Sequence, residues 1–216
     1  MSIRSAKLNK TEVIKVYSQN APIYDIWGLM TETKARQRSL ALANISDGEA
    51  ILEVAIGTGL TFQEILKANP NGRNMGIDIT PAMLKKAKLK AEKSGTTNYE
   101  ISIGDAYNLR FPDSQFDVLF NNYLFDLLPE QDFMLVLKEF KRVLKPNGRI
   151  IIVNMTQGER FYQHFWEFVY RINPKLMGGC RGVMLSQMMS ASGFENIDRA
   201  MVSQFGFPSE IITATA

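Results

Sequence analysis

The sequence contains one cysteine and one histidine, and these two scarcities close off several chemistries at once. Cys180 has no second thiol to pair with, which excludes a disulfide within the chain and suits a reducing compartment. Cys180 and His164 together cannot furnish the ligands of a His/Cys zinc centre, and no metal is expected. No apolar run approaches the ~20 residues needed to cross a bilayer. The first residues, Met1 to Lys7, lack the apolar segment of a secretory signal, so the expectation is a cytoplasmic protein. The net charge of +3 is too small to argue for a nucleic-acid partner. Repeats, low-complexity tracts and linker-like stretches are also missing. A chain of 216 residues then reads most simply as one α/β domain over 1–216.

What is present is organised around residues 51–59, Ile-Leu-Glu-Val-Ala-Ile-Gly-Thr-Gly. The run 51–56 is almost continuously apolar, as expected of a parallel strand covered on both faces. Gly57 and Gly59 allow a sharp turn and a close approach to a ligand. Residues 60–67 then carry helical spacing. A strand, a Gly-x-Gly turn and a helix start form the nucleotide-cradling corner of a doubly wound fold, although such corners also occur as plain structure. Glu53 adds weight, because a carboxylate inside a buried strand costs free energy unless it has a partner.

Before that strand, residues 9–44 read as N-terminal helices. The first is expected to break near Ala21-Pro22, and the second to start with Thr31 as its cap and run to Leu42. A lid over the glycine turn and plain packing on the sheet are both open for these helices. A second strand over 73–79 ends at Asp78, about 20 residues beyond the glycine turn, the spacing of a carboxylate that binds ribose hydroxyls in such folds. Pro81 starts the next helix. Its lysines, 85, 86, 88, 90 and 93, read as a solvated face rather than an RNA-binding one, since no aromatics are interleaved. Further strands are expected at 99–103, 116–122 and 149–154, with a helix over 133–144 between the last two, stopped by Lys145-Pro146-Asn147-Gly148. Strands alternating with helices predict a largely parallel sheet. The tail departs from that rhythm: an aromatic helix over 159–172, a helix near 182–190, and a final strand region over 194–205.

Four motifs stand in order: Glu53 to Gly59, Gly76-Ile-Asp78-Ile-Thr-Pro-Ala-Met83-Leu84, Gly104-Asp105-Ala106, and Phe116-Asp117-Val118 leading to Asn121-Asn122. Together, over roughly residues 12–205, they resemble the class I S-adenosylmethionine-dependent methyltransferases. The likeness is to the group around the ubiquinone/menaquinone C-methyltransferases and the bacterial phospholipid N-methyltransferases. One departure is Ala55, where the family's motif usually has its first glycine. The resemblance implies a Rossmann-like, mainly parallel seven-stranded sheet with helices on both faces, an N-terminal helical lid, and a substrate-side helical insertion over 155–192. It implies S-adenosylmethionine as cofactor. Glu53, the backbone around Gly57 and the Asn121 carbonyl would hold its amino-acid end. Asp78 would accept from the ribose, Met83 would pack on the adenine, and Asp105 and the Ala106 N–H would bond its edge. Ala55, Thr58, Gly59, Ile79, Gly104 and Tyr17 would complete the cofactor set.

The acceptor is less legible. Candidates for a general base are Asp126, Tyr24, His164 and Tyr17, with a helix-start role open for Asp126 and a packing role for His164. The aromatic and methionine-rich tail suits an apolar or lipid-like acceptor, or ordinary core. Trp166 and its neighbours are expected to line the acceptor pocket or touch a bilayer. Arg160, Arg171, Lys175 and Arg181 would then face an anionic headgroup or membrane surface. Two rival functions stay open: a nicotinamide-dependent oxidoreductase, disfavoured by Phe62 where a third glycine would be expected, and a non-catalytic cofactor-binding protein.

Overall fold

A computed structural model of the chain describes residues 8–156 and 179–216; the side chains of residues 20–24 and 27 also lie outside that description. The sheet has seven strands in the order β3-β2-β1-β4-β5-β7-β6. β1 (Ala50–Val54), β2 (Arg73–Asp78), β3 (Tyr99–Ile103), β4 (Phe116–Asn122) and β5 (Leu144–Met155) run parallel. β7 (Phe207–Thr215) is antiparallel to β5, and β6 (Glu195–Gln204) is antiparallel to β7. The doubly wound, mainly parallel fold expected from the strand–helix alternation is therefore borne out.

The two faces follow from side-chain alternation along β1. Ile51 packs with Val118, Phe120, Ile151 and Val153 beneath α2 (Thr33–Ala43). Leu52 faces the other way, with Leu119, Ile150 and Ile152 beneath α5 (Phe133–Val143). On α5, Phe133, Val136, Leu137 and Phe140 are buried, as their helical spacing predicts, and Phe125 meets Phe133 and Phe140 edge-on at 5.3 and 5.8 Å. α3 (Leu60–Ala68) and α4 (Pro81–Ala91) close the corner around Phe62, Leu66, Leu84 and Ala87.

Several expectations need correction. α1 is one helix over Lys10–Thr31 and does not break at Ala21-Pro22. It is anchored on both sides of the proline, by a reciprocal Asn9–Glu12 capping box and Lys10–Asp105 before it, and by Asp25 bonded to Thr58 and Lys90 after it. These contacts outweigh local propensity. α2 starts at Thr33 rather than at a Thr31 cap, because Glu32 ends α1 and begins α2 with no loop between them. The helix expected near 182–190 is the shorter α6 (Ser186–Ala191), since the Val183 N–H donates to the Met155 carbonyl at the end of β5 instead. The final strand region is two strands, turned at Phe205 and Gly206. Both have positive φ (49° and 77°), as a two-residue hairpin turn requires. The expected aromatic helix over 159–172, with His164 and Trp166, lies outside the described residues.

Candidate active site

The strand order reverses between β1 and β4, and in open α/β sheets ligands bind outside the carboxyl ends of the strands at such a point. Beyond Val54 the chain turns through Ala55, Gly57 and Gly59, with φ of 60°, 53° and 81°. At Gly57 an added Cβ would meet nothing within 4 Å, whereas at Gly59 it would lie 2.8 Å from the Ala87 Cα. Gly57 therefore leaves open space above the turn, and Gly59 lets α3 pack on α4. Ala55 keeps a Cβ in the left-handed region, a strained conformation for a non-glycine residue.

Asp78 fixes the turn from the end of β2. Its Oδ2 accepts from the Gly57 N–H at 2.9 Å and its Oδ1 from the Thr80 N–H at 2.8 Å. Burial raises its carboxyl, and the amides of Thr80 and Gly57 pull it back down.

Glu53 is 2% exposed. Its Oε1 accepts from Asn122 Nδ2 at 3.0 Å, while its Oε2 is buried without a partner. Desolvation pushes the carboxyl up to about 8, against the Asn122 hydrogen bond and the positive charge of Arg36. Asn122, not singled out as a binding residue by the sequence, owes its place to register. Glu53 pairs with Phe120 across β1–β4, so Asn122 falls on the face of Glu53 and Asn121 on the opposite one. Asn121 instead donates to the Val54 carbonyl at 2.9 Å, leaving its Oδ1 buried and unpartnered.

Two cavities meet at Ala55. One, of about 50 Å³, is walled by Glu32, Arg36, Glu53, Gly57, Thr58, Thr61 and Asn122 among others. The second, of about 270 Å³, is lined by Asp78, Ile79, Gly104, Asp105 and Ala106 on the sheet side. Leu8, Lys10 and Val13 of the N-terminal segment line it too, as do Tyr107, Leu124, Leu127, Leu128 and Asp132. Lys10 Nζ lies 2.6 Å from Asp105 Oδ2, and the Tyr107 hydroxyl donates to Asp132 at 2.8 Å. Thr58 donates to Asp25 at 2.5 Å. Burial raises the Asp25 carboxyl, but the bonds from Lys90 and Thr58 outweigh it and the net shift is downward.

The structure thus gathers Glu53, Ala55, Gly57, Thr58, Asp78, Ile79, Gly104, Asp105 and Ala106 around the two cavities. Others lie apart. Met83 is buried in α4 and lines neither cavity. The Tyr17 hydroxyl is 3.8 Å from Cys180 Sγ. Asp126 is 0% exposed and lines neither cavity. Its Oδ2 accepts from the Met155 N–H at 3.2 Å, and burial pushes its carboxyl up to about 7. The Tyr24 side chain and His164 lie outside the described residues. Arg181 corrects the surface reading: it is 1% exposed and donates to the carbonyls of Asp126 and Leu128 at 2.6 and 2.5 Å. It clamps the turn over the larger cavity and faces no membrane.

A methionine-derived nucleoside fits these residues. The orphaned Glu53 oxygen would meet an ammonium, the space above Gly57 would admit a chain close to the backbone, and Asp78 stands at a strand end beside the larger cavity.

Comparison with known proteins agrees. Residues 45–179 match a family model described as a methyltransferase domain. A demethylmenaquinone methyltransferase of Listeria welshimeri is 31% identical over 154 residues, covering 68% of this chain and 63% of that protein. An arsenite methyltransferase of Halobacterium salinarum is 29% identical over 166 residues, covering 74% of this chain and 41% of that protein. The chain therefore spans less than two thirds of the length of these relatives. In fold, it resembles the [4+2]-cyclase SpnF, with a TM-score of 0.77, 18% identity and coverage of 99% of this chain and 98% of that one. The family match and the Listeria relative set aside the nicotinamide-dependent reading, and the chain belongs to the class I S-adenosylmethionine-dependent methyltransferases.

Proposed function

We propose that this protein transfers a methyl group from S-adenosylmethionine to an apolar or amphipathic small molecule, with a quinone precursor favoured over a lipid-like amine. The observation that carries the cofactor half is the buried, half-satisfied carboxylate of Glu53, set across the glycine turn from Asp78. In this reading Glu53 receives the ammonium, with Asn122 holding its other oxygen. The amides around Gly57 border the amino-acid chain. Asp78 accepts from the ribose hydroxyls, and Ile79 flanks the adenine. Asp105 and the Ala106 N–H bond the adenine edge. Lys10 and Val13 of the N-terminal segment close the larger cavity as a lid.

Bound S-adenosylmethionine supplies a methyl group already activated on a sulfonium sulfur, so alignment of donor and acceptor is the main demand on the protein, worth ~7–11 kcal/mol in well-oriented systems. Leu124, Leu127 and Leu128 give the cavity wall an apolar surface suited to excluding water and seating a ring or chain. We assign Asp126 to holding the 124–129 turn through Met155, rather than to proton transfer. The quinone preference is supported by the Listeria relative. Arsenite is disfavoured, because a soft acceptor calls for thiolate ligands, and the one cysteine is buried with its thiol pushed well up by burial.

The test is turnover. Radiolabelled S-adenosylmethionine should yield S-adenosylhomocysteine when a demethylated naphthoquinone is supplied in its reduced, nucleophilic quinol form, whose ring carbon takes the methyl and loses a proton, more than with phosphatidylethanolamine. Tight cofactor binding with no turnover on any acceptor of the panel would sink the transferase reading and leave a non-catalytic binding protein.

A further inference from the structure

We infer that the end of α1 and the tip of the β6–β7 hairpin form one surface that docks on an anionic lipid bilayer. The choice of lipid as occupant rests on the apolar-acceptor reading, whereas the surface itself is independent of the cofactor assignments.

Ile26, Leu29 and Met30 fall at i, i+3 and i+4 on one face of α1 and are exposed at 62, 64 and 54%. Asp25 and Gly28 turn inward: Asp25 bonds Thr58 and Lys90, and a Cβ added at Gly28 would lie 3.3 Å from the Leu60 side chain. Phe205, at the hairpin tip, is 79% exposed. Gln204 joins the two parts. Its Nε2 donates to the Leu29 carbonyl at 2.9 Å, and its Oε1 accepts from the Lys34 N–H at 2.8 Å. The four apolar side chains therefore belong to one assembled patch, which on a soluble surface marks a contact site. β6 runs parallel to β5, since each is antiparallel to β7. The hairpin tip thus stands at the carboxyl end of the sheet, the end that holds the glycine turn and both cavities. Phe205 also has φ of 49°, where a two-residue turn favours Asn or Gly and a bulky side chain is an outlier. Burial within the chain does not offset that strain, so a contact outside the chain is its best account.

Charge selects the occupant. Lys34, bonded through its N–H to Gln204, and Arg38, one turn further along α2, are both exposed and make no ion pair among the described residues. The acids nearby are engaged: Asp25 pairs with Lys90 at 2.8 Å and Glu32 is buried. Residues 200–208 carry no acidic side chain. A symmetric contact with a second copy would set the same two cations against each other. An anionic bilayer meets both demands, with headgroups facing Lys34 and Arg38 and the narrow Phe205 tip entering beside Leu29 and Met30. An acceptor dissolved in that bilayer would reach the cavity end of the sheet without crossing water.

The experiment is cosedimentation of the full chain with vesicles, mixed phosphatidylglycerol and phosphatidylcholine against phosphatidylcholine alone. The parent should partition roughly 30-fold more strongly to the anionic vesicles, as two basic residues near a charged surface provide. Lys34→Gln combined with Arg38→Gln should remove that preference. Phe205→Asn should weaken partition about 10-fold, from the lost apolar area, while its melting temperature holds or rises, because Asn-Gly suits this turn. Leu29→Gln serves as a second apolar variant should the turn variant misfold. A parent left in the supernatant with both vesicles overturns the proposal, as does equal partition to both or a folded apolar variant that partitions like the parent. A parent that ignores vesicles but forms dimers broken by Phe205→Asn makes this face a subunit contact instead. Sedimentation is read without cofactor or acceptor, so its failure leaves the transferase reading standing, and a vesicle-bound protein without turnover counts against that reading alone.

Discussion

Cofactor binding should expel a proton, and Glu53 is the reason. The folded protein holds this carboxyl at about 8, because burial removes water from it and only Asn122 replaces a hydrogen bond. At pH 7 it is then about nine-tenths protonated. An ammonium on Oε2 favours the ionised form, so binding at pH 7 should release about 0.9 proton. The dissociation constant should fall close to tenfold per pH unit from about pH 6 upward. The gain should level near pH 8, where the ligand's own amino group, with an ordinary value of about 7.7–8.0, begins to lose its charge.

The same group shapes stability. Between the ordinary carboxyl value of 4.5 and about 8, the native state keeps a proton that the unfolded chain has lost. The unliganded protein should therefore lose stability as pH rises through that window, by at most about 1.4 kcal/mol per unit. Calorimetry with S-adenosylhomocysteine in buffers of different ionisation enthalpy measures the proton directly. Glu53→Gln is the control and should bind with little release. Parent protein that binds well at pH 7 but releases less than about 0.2 proton would refute the reasoning. Equal release from the variant would move the proton to Asp78.

Replacing Asp78 with Ala should weaken cofactor binding by about 1.5–3 kcal/mol, read by calorimetry, because it removes a charged acceptor that also holds the Gly57 amide. Ala55→Gly should raise the denaturant midpoint modestly: relief of a left-handed alanine, about 1–2 kcal/mol, exceeds the ~0.5–1 kcal/mol lost to glycine's freedom. A lowered midpoint would contradict the observed backbone. Arg181→Met should cost about 2–4 kcal/mol in chemical denaturation, since it strands the buried Asp126 carbonyl and the part-buried Leu128 carbonyl. A variant as stable as the parent would show that the clamp contributes nothing.

The legible parts of the chain are those where the backbone itself makes a demand. Gly57, Gly59 and Asp78 announce a turn and a strand end, and the structure sets them where the motifs imply. Partnerships across strands and between layers are not written locally in the sequence. Asn121 and Asn122 look equivalent in sequence, and only the β1–β4 register decides which one reaches Glu53. Arg36 lies on a short helix whose pattern does not single it out, and only the fold sets it on the wall of the smaller cavity. Arg181 reads as a surface charge because arginine usually is one, yet two carbonyls hold it inside. β7 is hidden in the sequence because Ser209 and Glu210 interrupt its apolar run, although both are buried and Glu210 is paired with Arg199.

The position of β7 also sets an order of assembly. β6 precedes it in the chain but joins the sheet only through it, and Arg149 at the start of the β5–β7 ladder must find Thr215. The Ala216 N–H then donates to the Gly148 carbonyl at 2.9 Å and seals the end of that ladder. Until residues 207–215 arrive, β5 presents an open, apolar edge running from Ile150 to Val153. Such an edge is a template for pairing with another chain, and contacts so distant in sequence form slowly. A nascent or truncated chain ending before residue 207 should therefore be the aggregation-prone species, with solubility gained in one step when the inner strand is filled.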